Sequence, residues 1–300
     1  MAGSATLRQV TVIGCGLIGG SLVKALRARG AAVRLSAIDR PDVLRAAHPY
    51  LDDEADAGST TATDLVASSD LVILAMPIGA IVSSLDWVLA SIPKGGVVTD
   101  TGSVKKPIVA AARANANAAS FVAGHPMAGR EVGGFEASSA DLFEKARWFL
   151  VRDAGTKGDG PSVDRVVALA RAVGAEPMEI EAGAHDRAMA YVSHAPQLVA
   201  SAIYSVAARA GVLGQAGSGF RDVTRISGGP ASTWRDIFDA NRDELASALG
   251  EILEPLVELR RRLAAGDETA IASAVALLDD AHAAKAKRLS EMPPKVEPPR

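Results

Sequence analysis

His125 stands in Gly124-His125-Pro126-Met127-Ala128-Gly129, directly after Ser120-Phe121-Val122-Ala123, an apolar run that reads as a strand. A histidine held at a strand end can take up a proton near neutral pH, since its ordinary pKa of about 6.5 keeps the neutral form available. Removal of hydride from an alcohol carbon needs that service, because the hydroxyl proton must leave too. His125 is therefore the candidate base. Two further polar clusters close apolar runs: Ser103 lies in Asp100-Thr101-Gly102-Ser103 after Gly96-Val97-Val98-Thr99, and Met76-Pro77 ends the run from Asp70. In an open parallel sheet all three clusters fall beyond the carboxyl ends of the strands, where ligands bind.

The elements that would position an oxidant lie nearer the N-terminus. Val10-Thr11-Val12-Ile13 leads into Gly14-Cys15-Gly16-Leu17-Ile18-Gly19 and then a helix-patterned segment. This is the order of a dinucleotide fingerprint: Gly14 for the tight turn, Gly16 for close approach to a pyrophosphate, Gly19 for packing of helix on sheet. The free N–H groups at the helix start, at Leu17 and Ile18, favour phosphate. A second strand, Val33 to Ile38, ends in Asp39, about 20 residues beyond the last glycine, where an acid meets the ribose hydroxyls. The expected cofactor is NAD, contacted by these residues together with Met76, Pro77 and Asp100.

Alternating strand and helix signals continue to about residue 181, and from Gly183 onward only helical spacing remains. The expected fold is α/β: an N-terminal doubly wound, Rossmann-type parallel sheet over 1–181, followed by an all-helical domain over 182–292 for substrate binding and dimerisation. A proline-rich tail over 293–300 is expected to be disordered, and the glycine-rich turn 155–161 flexible. In the helical part His194 precedes Pro196, an expected kink, with Gln197 one turn on. Arg221 and Arg225, four apart, offer guanidinium forks to a carboxylate, Arg221 being the one expected in a local salt bridge with Asp222 or its neighbours. His185 falls nine residues before His194 on the opposite helical face, which is not metal-ligand spacing, and no metal site is expected.

With 300 residues, 48% of them hydrophobic, the chain can bury cores for two domains, and periodic apolar helices predict a homodimer. A net charge of −3 without a basic block argues against nucleic acid and for a small-molecule substrate. Cys15 is the sole cysteine, so no intrachain disulfide forms, and a reducing, cytoplasmic setting is expected. The segment before the first strand is short for a signal peptide, and the apolar run from Leu71 to Val82 is broken by Pro77 and too short for a bilayer.

Taken together, the glycine turn with Asp39, Thr99-Asp100-Thr101-Gly102-Ser103-Val104-Lys105, the His125 segment, Ser193-His194-Ala195-Pro196-Gln197, and Phe220-Arg221-Asp222-Val223-Thr224-Arg225-Ile226 resemble the prephenate dehydrogenases and their arogenate-using relatives. The resemblance implies NAD-dependent oxidative decarboxylation of prephenate to 4-hydroxyphenylpyruvate in tyrosine biosynthesis. It implies that His125 accepts the 4-hydroxyl proton, that Ser103 holds the hydroxyl and orients His125, and that His194 and Arg225 bind substrate. The family often reads Ser-His-Leu-Pro-His, whereas this chain has Ala195 and Gln197, so prephenate and arogenate both remain open; Gln197 can donate or accept. The 3-hydroxyacid dehydrogenases resemble one another in a helical-domain lysine, and no lysine stands between Lys157 and Lys285. An NAD-binding protein without chemistry would need His125, Ser103 and Arg225 to coincide by accident.

Overall fold

The structure, a computed structural model, describes residues 7–152, 160–229 and 231–291. Eight strands form one sheet: β1 Leu7–Ile13, β2 Ala32–Asp39, β3 Asp53–Asp56, β4 Leu71–Leu74, β5 Val97–Asp100, β6 Phe121–Pro126, β7 Arg147–Val151 and β8 Glu176–Ile180. Their order is β3-β2-β1-β4-β5-β6-β7-β8, and every neighbouring pair is parallel except β6 with β7. Residues of β4, β5 and β6 are buried throughout, which accounts for their continuous apolar runs: a parallel strand with helices on both faces has no wet side. One apolar layer joins Val10, Val12, Leu22, Leu26 and Trp148, and the other joins Ile13, Val72, Leu74, Ile81, Leu85 and Ile108.

The helices of this region are α1 Leu17–Ala28, α2 Pro41–Ala47, α3 Thr60–Ala67, α4 Ile78–Ser91, α5 Lys106–Arg113 and α6 Gly160–Ala172. β3, an Asp-Glu-Ala-Asp strand, carries no hydrophobic pattern that sequence reasoning could use. Only Ala55 is buried there, and Asp53 instead pairs with Arg34 of β2 at 2.7 Å. Charge on an outermost strand discourages further pairing.

After β8 the chain is helical: α7 Ala182–Met189, α8 Ala195–Arg209, α9 Ser218–Thr224, α10 Ala231–Ala240, α11 Arg242–Ala264 and α12 Ala270–Glu291. The expected kink takes another form. A π-helical turn over Ala190–His194 joins α7 to α8 in one continuous helical run, and Pro196 follows it in the first turn of α8, where it has no N–H to give the preceding turn. Compact packing divides the chain into Met1–Leu245, which holds the sheet and α7 to α10, and Ala246–Arg300. In the second unit Gly266, at φ +68°, follows the end of α11. The tail 293–300 and residues 155–159 of the glycine-rich turn lie outside the described residues; Gly160 and Pro161 begin α6. Among the described residues no helix is long and apolar enough to cross a membrane.

Candidate active site

The glycine turn has the shape of a phosphate cradle. Gly14 adopts φ +93°, and a Cβ there would fall 2.6 Å from the Ala75 carbonyl oxygen and 2.7 Å from Met76 Cγ, so the turn packs directly on the end of β4. A Cβ on Gly19 would lie 1.8 Å from Gly14 O, which excludes any other residue, whereas one on Gly16 would meet nothing within 4 Å. α1 has no side-chain cap and no acid in its first turn, so the N–H groups of the half-buried Leu17 and Ile18 and the positive end of the helix dipole are left for an anion. Asp39, half-buried at the end of β2, accepts from Cys15 N at 2.6 Å and from Arg40 N at 2.7 Å, bracing the turn from the ribose side. Burial, and then the Asp39 charge, push the Cys15 thiol up to about 12, so it fills space. Met76 is half-buried and the exposed Pro77 caps α4. These residues fit a dinucleotide.

Asp100, expected at the cofactor, also has a structural part. Its side chain is fully buried and bonded to Lys105 Nζ, to Gly102 N at 2.8 Å and to Gly124 N at 3.1 Å, so it shapes the loop after β5. Lys105 Nζ also reaches Gly124 O at 2.6 Å. Burial draws the lysine down from its ordinary value and Asp100 opposes the shift.

Gly124 and Lys105 lead to His125, which is 9% exposed on β6 and pairs across the strand with Phe149 of β7. Its Nδ1 lies 2.8 Å from Nε2 of His185, and His185 Nδ1 lies 2.8 Å from Asp186 Oδ1. Phe149 meets the His185 ring edge-on at 5.5 Å and walls off the pair. Burial, then the charges of His185, Lys105 and His194, hold the His125 imidazole well below its ordinary pKa. His125 is thus neutral, and its hydrogen-bond partner is His185; Ser103, half-buried in the β5–α5 loop, makes no hydrogen bond among the described residues. The sequence offered His185 only as a possible metal ligand and gave no sign of Asp186, because the partner of His185, His125, stands 60 residues away on a strand.

His194 is buried in the π-helical turn, with Nδ1 at 3.1 Å from Asn241 Nδ2 and Nε2 buried without a hydrogen-bond partner among the described residues. Burial pushes its pKa down to about 4. Trp234 stands edge-on to it at 6.3 Å. Gln197 is buried and donates from Nε2 to Ile226 O at 2.9 Å. Arg225, in a 3-10 turn after α9, is exposed and pairs at 2.5 Å with Glu131 of the loop after β6. The expected assignment of salt bridges is reversed: Arg221 donates to the Ala216 carbonyl, and Arg225 holds the ion pair.

Comparison with known proteins decides the family. The nucleotide-binding domain of prephenate dehydrogenase matches residues 22–179, and the prephenate dehydrogenase dimerization domain matches 181–277. The chain belongs to the prephenate dehydrogenase family. Prephenate dehydrogenase of Bacillus subtilis is 31% identical over 261 residues, covering 84% of this chain and 69% of the relative. Cyclohexadienyl dehydrogenase of Zymomonas mobilis is 27% identical over 266 residues, covering 87% and 90%. Among solved structures, Aquifex aeolicus prephenate dehydrogenase in complex with hydroxyphenyl propionate and NAD+ superposes with a TM-score of 0.81 at 27% identity, over 96% of this chain and 99% of that one. Membership of this family of NAD-dependent oxidoreductases leaves no place for the 3-hydroxyacid dehydrogenase reading or for an NAD-binding protein without chemistry.

Proposed function

We propose that the protein catalyses NAD-dependent oxidative decarboxylation of prephenate to 4-hydroxyphenylpyruvate, with His125 as general base. The observation that carries the reading is a buried, neutral histidine fixed near the carboxyl end of β6, on the same sheet edge as a glycine cradle that fits a dinucleotide. NAD+, when bound, supplies the hydride acceptor. His125 Nε2 takes the 4-hydroxyl proton as hydride leaves the same carbon, and Ser103 holds that hydroxyl. The carbon–carboxylate bond then breaks, its electron pair restores the aromatic ring, CO2 departs, and the phenolate oxygen recovers the proton from His125. No net proton is consumed. Arg225 pairs with a substrate carboxylate in place of Glu131, and His194 donates from Nε2. An exposed ion pair is worth at most about 1 kcal/mol, so Glu131 is readily displaced.

Arogenate is the second reading, favoured by Gln197. One N–H of its amide is committed to Ile226 O, and its carbonyl oxygen can accept from an ammonium. Absorbance at 340 nm with NAD+ and each substrate separates the two. Turnover of prephenate is expected, and turnover of arogenate alone would overturn the first reading. The segment matched by the dimerization domain is the proposed self-association region, and a buried single thiol is in keeping with a cytoplasmic setting.

A further inference from the structure

We propose that His185 and Asp186 are positioning residues that lock His125 in the Nδ1–H tautomer and so keep its Nε2 bare as the base. The inference rests on the base role given to His125 above. Its logic begins at Asp186, whose side chain is fully buried. Oδ1 accepts from Lys105 N at 2.7 Å and Oδ2 from Lys106 N at 2.8 Å. A carboxylate fed by main-chain N–H groups on both oxygens acts as an acceptor, so at the 2.8 Å contact the proton belongs to His185 Nδ1. A neutral imidazole with a proton on Nδ1 offers a lone pair at Nε2. His125 Nδ1, 2.8 Å from that lone pair, must then be the donor.

Each link fixes the next, and the chain ends with an unprotonated Nε2 on His125. That is the opposite of the tautomer preferred by a free imidazole, so it needs enforcing. Reversal of any link would place the proton on Nε2 and block the base. The arrangement also serves the protonated state: once His125 is an imidazolium, its Nδ1–H still donates to His185, and Asp186 carries compensating charge beyond it. The other titratable groups against this chain are Asp100 at the end of β5, Lys105 from the β5–α5 loop and His194 from the π-helical turn. Lys105 disfavours a second positive charge on the imidazoles, which suits a base that starts neutral.

A merely structural pair would pack and cap; a tautomer lock requires an acceptor at the position of His185 Nε2. The test compares His185→Gln, whose amide oxygen can occupy that position, with His185→Leu, which cannot accept, and Asp186→Asn, which can turn the ladder round by donating to His185 Nδ1. For each, kcat and KM for prephenate, Kd for NAD+ and Tm are measured, with His125→Asn as reference. The side-chain 15N shifts of the five histidines report the tautomers directly. The expected result is kcat within about 10-fold of wild type for His185→Gln and at least about 100-fold lower for His185→Leu and Asp186→Asn, with Kd for NAD+ nearly unchanged. His125 should show the Nδ1–H tautomer in the wild type. Equal activity of the Gln and Leu variants, or an Nε2–H tautomer for His125 in the wild-type enzyme, overturns the proposal while leaving the base role intact. An active His125→Asn overturns both. If His185→Leu does not fold, His185→Gln against Asp186→Asn decides.

Discussion

Asn241 Nδ2 donates to His194 Nδ1 at 3.1 Å, and the same amide nitrogen donates to Asp186 O at 2.8 Å. With a carbonyl oxygen as one partner the nitrogen cannot be exchanged for the amide oxygen, so Nδ1 of His194 is the acceptor and Nε2 bears the proton. That N–H is buried and has no partner among the described residues. An unsatisfied buried donor costs about 1–3 kcal/mol, and a substrate acceptor relieves it. Asn241→Asp, which would draw the proton to Nδ1, is expected to raise KM for substrate about 10- to 100-fold and to leave Kd for NAD+ unchanged. Steady-state kinetics and cofactor titration check this, and an unmoved KM would remove His194 from substrate binding.

Arg225 gives a second expectation. Arg225→Gln removes charge-assisted bonds worth roughly 1.5–3 kcal/mol, a 10- to 150-fold loss in kcat/KM carried mostly by KM, because the substrate carboxylate is charged before hydride moves. Arg221→Gln, which loses only a bond to Ala216 O, should stay within about 3-fold. Glu131→Gln frees Arg225 and should lower KM modestly. Kinetics on the three variants measure the contrast.

The fold was largely legible because it follows from buried apolar runs and glycine punctuation. The Gly14-to-Gly19 turn carries its geometry in its residue types. β3 was not legible, since an edge strand held by Asp53 and Arg34 shows no hydrophobic period. The antiparallel β6–β7 pair was equally hidden, because strand direction is set by the connection over 127–146. In the site, single residues were readable and pairings were not: His125 could be found, but His185 lies 60 residues away and Asn241 lies 47 residues beyond His194. The structural duty of Asp100 was hidden as well, because its position at a strand end is that of a ligand contact and its partner Lys105 is seen buried beside it only in the fold.

Stability should fall with acid. His194 titrates at about 4 in the folded chain against about 6.5 unfolded, and His125 and His185 are also lowered, so between those values the unfolded chain binds more protons. Stability from these neutral imidazoles is present above pH 6.5 and is lost as pH falls toward 4. Tm measured at pH 7.5 and 5 should show the decline, and His194→Gln should make the slope shallower by about one proton. A Tm independent of pH over this range would contradict the assigned neutral state.

Cofactor choice follows from Asp39, whose carboxylate accepts ribose hydroxyls and repels a 2′-phosphate. Arg40, whose exposed pair with Asp42 at 3.4 Å is readily given up, can offer a cation and soften this preference. NAD+ should exceed NADP+ in kcat/KM, and Asp39→Asn should narrow the ratio at least about 10-fold. Because Asp39 also braces Cys15 N, the variant should lose some affinity for both cofactors.

The central claim is that His125 removes the proton that allows hydride to leave, and it is tested most directly by kcat for His125→Asn with saturating NAD+ and prephenate. A fall of about 10²- to 10⁴-fold with intact fold and NAD+ affinity is expected for loss of a general base. A kcat near that of the wild-type enzyme would contradict the account.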